Sequence, residues 1–232
     1  MKKKILLAFP VFQALYPRPF DNFAQILIAA GRQLDYLFGI LVMERQSLTV
    51  AMNTVAERMI QEDWEAVIVF DDDCFPPYDV VPRLLTRCFE EGHKFVAATG
   101  VMRGYPFTTT AARYYPEGIT AVFKPEGTVD RLAGFEWIDD LPHDMVDVDF
   151  CGVPAAIIHK DCFTAIQPPW FADLDEKGVR ITHDVYFCRK LKEAGIAVKV
   201  DGTIRCGHLT EAPIITFENR VFARSAGQAV AG

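Results

Sequence analysis

Several features are missing from this 232-residue chain, and each absence narrows what it can be. No apolar run approaches the roughly 20 residues that cross a bilayer, so no membrane span is expected. Its six cysteines, at 74, 88, 151, 162, 188 and 206, include no C-x-x-C pair. Several fall on apolar helix faces, which predicts reduced core thiols in a cytoplasmic protein. Basic charge is not in excess: 24 Lys and Arg against 31 Asp and Glu give a net charge of −7. A general nucleic-acid binder is therefore not expected. Internal repeats and low-complexity linkers are also missing, and 232 residues suffice for one large α/β domain with a substantial core.

What is present alternates. The opening MKKKILLAFPVF joins a basic cluster to a short apolar run without a small-residue cleavage site, so Lys4 to Phe9 reads as a first strand that Pro10 ends. A helix is expected from about Asp21 to Gln33 and a second strand from Tyr36 to Met43. Ser47 is a plausible N-cap for a helix with Leu48, Met52, Val55 and Met59 at helical spacing. A strand at Ala66 to Phe70, a helix carrying Val81, Leu84, Leu85 and Cys88, and a strand at Lys94 to Gly100 follow. This order predicts an α/β fold with an open, mostly parallel sheet and helices on both faces. From residue 106 to about 210 the pattern turns β-rich, with short strands between Pro and Gly turns. Residues 211–232 read as a loose tail.

The chemistry concentrates at AVIVFDDDCFPP. Ala66 to Phe70 form an uninterrupted apolar run, as in a strand buried on both faces. Asp71, Asp72 and Asp73 follow at once, and Pro76 and Pro77 stop the strand. In an open α/β sheet, ligands bind at the C-terminal ends of the strands. Three adjacent carboxylates repel unless donors or a cation neutralise them, and a hard Mg²⁺ or Mn²⁺ does so with oxygen ligands. The plainer alternative, an acidic turn capping the helix that begins near Asp79, needs only one acid.

VIVFDDDCFPP resembles the DxD segment of GT-A fold nucleotide-sugar glycosyltransferases, in particular the family 2-like group. Two later segments extend the resemblance. ITHDVYFCRKLKEAG is similar to that group's "E-D-x-x-F-C" helix, with Asp184 kept and His183 in place of the first acid. RCGHL stands where a C-terminal "G-H" returns to the metal. Together they cover about residues 4 to 210, a nucleotide-sugar half up to about 105 and an acceptor-side half from 106.

The resemblance implies that Asp71, Asp73 and His208 hold Mn²⁺ or Mg²⁺. It places Pro10, Asn53, Asp71, Asp72 and Arg103 beside a UDP- or GDP-sugar donor, although the family's Arg before Asn53 is Met52 here. Gly152, Trp170 and Phe171 are assigned to the acceptor side, the aromatic pair standing equally well as core. Asp184 would take the acceptor's proton and give inversion. A lone His208 or a helix-terminal Asp184 also has ordinary structural readings. Two other functions stay open: a sugar-phosphate nucleotidyltransferase and a non-catalytic nucleotide- or sugar-binding domain. The first usually needs a Gly-rich phosphate loop after the first strand, and AFPVFQALYPR contains no glycine.

Overall fold

The computed structural model describes residues 2–11, 17–102, 107–114, 120–123, 129–133, 135–176 and 179–209. Arg103 and the tail from 210 lie outside them. The first half runs β1 (Lys3–Val11), α1 (Pro17–Ala30), β2 (Tyr36–Glu44), α2 (Leu48–Gln61), β3 (Ala66–Phe70), β4 (Cys74–Phe75), α3 (Val80–Phe89) and β5 (Phe95–Thr99). Short strands follow: β6 (Ala111–Tyr114), β7 (Thr120–Phe123), β8 (Val129–Ala133), β9 (Phe135–Trp137), β10 (Met145–Val148) and β11 (Phe150–Cys151). The chain then forms β12 (Ala155–His159), α4 (Lys160–Thr164), β13 (Leu174–Glu176), β14 (Val179–Ile181), α5 (His183–Glu193), β15 (Val198–Arg205) and β16 (Gly207–His208).

Seven strands form one sheet in the order β10-β15-β5-β12-β3-β1-β2. β2, β1, β3, β5 and β15 run parallel, while β12 and the edge strand β10 run antiparallel. This is the open, mostly parallel α/β sheet that the sequence predicts. Side chains in β3 alternate between two cores, as the two-residue period of a strand requires. Ala66, Ile68 and Phe70 join α1 and α3 residues such as Phe23, Ile26, Leu84 and Leu85. Val67 and Val69 join Met52, Val55, Met59, Phe163, Phe187 and Leu191 from α2, α4 and α5. All five β3 residues are buried, so a strand with two covered faces has no place for a polar residue until its end.

Boundaries shift for identifiable reasons. β1 continues through Pro10 to Val11, because β3 pairs with it only as far as Ala8. Pro10 thus sits where β1 has a single neighbour, a position a strand tolerates. α1 starts at Pro17 rather than near Asp21, since prolines in a first turn lack only N–H groups the helix leaves unpaired. Ser47 does cap α2, its hydroxyl accepting from the Val50 N–H at 3.3 Å. Asp79 occupies the N-cap of α3 without a side-chain cap bond, so helix capping does not account for the acids upstream of it. All six cysteines are buried free thiols.

Candidate functional site

One edge of the sheet collects the site. The C-terminal ends of β3, β5 and β15 and the N-terminal end of the antiparallel β12 meet there. Phe70 pairs with Ala155, and the Asp71 N–H donates to Pro154 O at 3.2 Å. A cavity of about 200 Å³ opens at this edge. Asp71, Cys74, Thr110, Gly152, Asp184 and His208 are among its lining residues.

His208 arrives by a bulge. In the register of β15 with β5, Asp201 faces Ala98 but Arg205 faces Thr99, so three residues are looped out between them. Asp201 is fully buried there, paired with Arg87 Nε at 2.8 Å and accepting from the Thr203 N–H at 2.8 Å and hydroxyl at 2.5 Å. Burial pushes the Asp201 carboxyl up, but the Thr203 bonds and the Arg87 guanidinium outweigh it and hold the group below its ordinary range. Beyond the bulge the Cys206 N–H donates to Thr99 O at 2.8 Å. β16 then pairs with β4, placing His208 directly opposite Cys74, and Leu209 N–H donates to Asp73 O at 2.8 Å.

The imidazole is oriented on both sides. Nδ1 lies 2.7 Å from Val101 O, and a carbonyl only accepts, so Nδ1 carries a proton. Nε2 lies 3.3 Å from Asp73 Oδ1. In metal-ligating histidines a backbone carbonyl commonly accepts from the far ring nitrogen and so orients the ring. Carboxylate and imidazole together suit Mn²⁺ better than Mg²⁺, which favours an all-oxygen set. Cys74 Sγ lies 3.6 Å from the same Asp73 oxygen. Burial, with Asp71 and Asp73 nearby, pushes its thiol well above the ordinary range.

Asp184 reaches the cavity from the first turn of α5. Its Oδ1 accepts from the Thr182 hydroxyl and, at 2.9 Å, from the Val185 N–H. Phe187, Cys188 and Leu191 anchor the same helix in the core. Gly152 lets the chain before β12 pass close to Thr110, since an added Cβ would lie 3.0 Å from that residue's Cβ.

The structure therefore gathers Asp71, Gly152, Asp184 and His208 around one cavity, with Asp73 beside His208. Other expectations part company with it. Trp170 and Phe171 are core residues, 7% and 1% exposed; Phe171 stacks on Phe187 at 4.3 Å, and Trp170 Nε1 donates to Phe163 O at 2.8 Å. Asn53 does not face the cavity either. Its amide donates to Phe171 O at 2.7 Å and Thr49 O at 2.8 Å, and its oxygen accepts from the Trp170 and Phe171 N–H groups. It ties the aromatic pair to α2. Pro10 is buried within β1, and neither it nor half-buried Asp72 is among the cavity's lining residues. The sequence reading missed Cys74, Thr110 and His183 as lining residues. The one local signal was Cys74's place next to the acids.

No protein-family model matches the chain, and no curated protein is significantly similar to it. Its fold is similar to that of A197 from STIV, with TM-score 0.57 and 16% identity over 94% of this chain and 91% of that one. At that identity the likeness is one of fold. GalNAc-T7 with UDP, GalNAc and Mn²⁺ aligns at TM-score 0.49 and 10% identity, over 89% of this chain and 44% of that one. Apo-UDP-glucose pyrophosphorylase aligns at TM-score 0.49 and 8% identity over the whole of both chains.

Proposed function

We propose that this chain is a metal-dependent glycosyltransferase, moving a sugar from a UDP- or GDP-sugar to an acceptor hydroxyl. The observation that supports the reading best is the β16–β4 closure, which sets His208 beside Asp73, at a cavity that His208 and Asp184 both line. Asp73 and His208 would hold Mn²⁺ or Mg²⁺, with Asp71 binding the ribose or an ion-bound water. The ion, when bound, would neutralise charge developing on the leaving nucleoside diphosphate, a contribution of several kcal/mol.

Asp184 acts as general base. Its Oδ1 is held by Thr182 and Val185, which fixes the carboxylate against rotation and aims it at the cavity. It takes the hydroxyl proton as the acceptor oxygen bonds to the anomeric carbon and the bond to the diphosphate breaks, which inverts that centre. Gly152 and Thr110 line the acceptor's approach.

Nucleotidyl transfer would use the same sheet and carboxylates, so the test includes it. The protein is incubated with Mn²⁺ and either a nucleotide-sugar panel with sugar and peptide acceptors, or sugar 1-phosphates with nucleoside triphosphates. Released nucleoside diphosphate with an inverted glycoside is the expected result; pyrophosphate release would replace the reading by the second. Asp184→Asn should leave Mn²⁺-dependent donor binding nearly intact and slow transfer by roughly 10²–10⁴-fold. Unimpaired transfer by this variant would return Asp184 to a helix-terminal acid.

A further inference from the structure

Cys74 has no part in the chemistry above, yet its sulfur lies 3.6 Å from the Asp73 carboxylate. The Sγ of Cys74, a carboxylate oxygen of Asp73 and a ring nitrogen of His208 all lie within 4.8 Å of one another. Cys74 is buried and is also one of the residues that line the cavity.

We propose that Cys74 is a protein ligand to the metal, completing with Asp73 and His208 a three-point N/O/S site of tetrahedral type that favours Zn²⁺ or Co²⁺ over Mg²⁺. The inference rests on the metal position of the reading above and not on its substrate.

Its size is the main argument. Bonds of roughly 2.0–2.1 Å to nitrogen and oxygen and about 2.3 Å to sulfur, at tetrahedral angles, place N and O roughly 3.3–3.4 Å apart and S and O roughly 3.5–3.6 Å apart. The observed separations from Asp73 Oδ1 are 3.3 Å to His208 Nε2 and 3.6 Å to Cys74 Sγ. Right-angled octahedral coordination with the same bonds would need N and O roughly 2.9–3.0 Å apart.

Rigidity is the second argument. Cys74 and His208 are cross-strand partners in the β4–β16 ladder, so the backbone fixes their spacing. Asp73 adjoins Cys74, and its carbonyl accepts from Leu209 N–H at 2.8 Å, closing the same ladder. Val101 O fixes the outer ring nitrogen of His208 at 2.7 Å, leaving the inner one to coordinate.

In the metal-free protein the Cys74 thiol donates a hydrogen bond to Asp73 Oδ1 at 3.6 Å. On binding, the dication takes the proton's place and the proton goes to solvent. Sulfur makes the site softer than an all-oxygen DxD centre, which moves its preference along the divalent series toward Zn²⁺. Asp71 and Cys74 line the same cavity, so an oxygen of a bound diphosphate could supply the ligand that these three residues do not.

The full chain, freed of metal, is titrated with Co²⁺ and with Zn²⁺. One equivalent of Co²⁺ should give a thiolate-to-cobalt charge-transfer band and the intense visible bands of four-coordinate cobalt. Zinc-edge X-ray absorption of the wild type should show one sulfur near about 2.3 Å beside lighter ligands. Cys74→Ser, checked for folding by circular dichroism, should lose the band and bind Zn²⁺ at least roughly 10–100-fold more weakly, the loss that even an outer partner costs. Cys88→Ser, altered on α3, should keep both. A shell of nitrogen and oxygen alone, a band that survives in Cys74→Ser, or no stoichiometric binding would each overturn the inference. A sulfur-containing shell with no sugar transfer would instead overturn only the glycosyltransferase reading, and Mn²⁺-dependent transfer with a sulfur-free shell would overturn only this one.

Discussion

Replacing Asn53 by alanine separates its two possible roles. Its side chain makes four hydrogen bonds, three of them to the backbone of Trp170 and Phe171. Thr49 O also belongs to the α2 ladder, so it loses little. The Phe171 carbonyl and the Trp170 and Phe171 N–H groups lose this partner together. A buried polar group left unpaired costs about 1–3 kcal/mol. Asn53 itself is only half-buried, so water can reach part of the gap and the low end applies to each group. The sum is about 2–4 kcal/mol, a large share of a domain's roughly 5–15 kcal/mol. Loosening also reaches the Phe171–Phe187 stack that seats α5, and with it Asp184. Urea unfolding followed by tryptophan fluorescence should show the midpoint falling with little change in slope. For a chain of this size each kcal/mol lowers Tm by about 2–4 °C, so a drop of about 4–16 °C is expected. Nucleotide-sugar affinity measured well below the new Tm should stay close to wild type. Stability within about 0.5 kcal/mol of wild type, coupled with lost donor binding, would refute this reasoning and return Asn53 to the donor.

Arg87→Met should cost about 3–5 kcal/mol in urea unfolding, because it strands the buried Asp201 carboxylate. In the wild type the Asp201 contribution, its carboxyl being depressed in the fold, is fully present above the unfolded value of about 3.9 and lost as pH falls through the lower folded value. An acid titration of the urea midpoint should therefore show wild type holding to lower pH than Arg87→Met; coincident curves would exclude the ion pair as a stabiliser. Gly202→Ala should be among the most destabilising single changes, since a Cβ there would lie 1.9 Å from Pro142 O, a backbone atom with little room to move. A melting temperature equal to wild type would show that the bulge is looser than described. His208→Ala should weaken Mn²⁺ binding measured by calorimetry, with excess Mn²⁺ partly restoring it, whereas a lower Tm with unchanged Mn²⁺ affinity would make His208 structural.

Sequence alone determined what depends on near neighbours. The apolar run from Ala66 to Phe70 reads as a doubly covered strand, and acids directly after it are placed at the C-terminal edge of the sheet. Ser47 signalled its cap, and helical spacing marked the buried faces of α2, α3 and α5. These patterns are legible because strand and helix periods are set within a few residues of backbone. Asp184 and His208 drew notice through resemblance, but no local rule put them at one cavity. That was decided by the insertion of antiparallel β12 between β3 and β5 and by the three-residue bulge that returns β16 to β4. Tertiary structure also moved Asn53 away from the cavity and decided the even choice for Trp170 and Phe171 in favour of the core. An amide and two aromatic rings carry the same signal whether they meet a ligand or one another, and here α2 and the segment before β13 meet. Cys74 shows the limit most plainly, because a buried thiol beside three acids looks inert until a strand from 134 residues away sets a histidine opposite it.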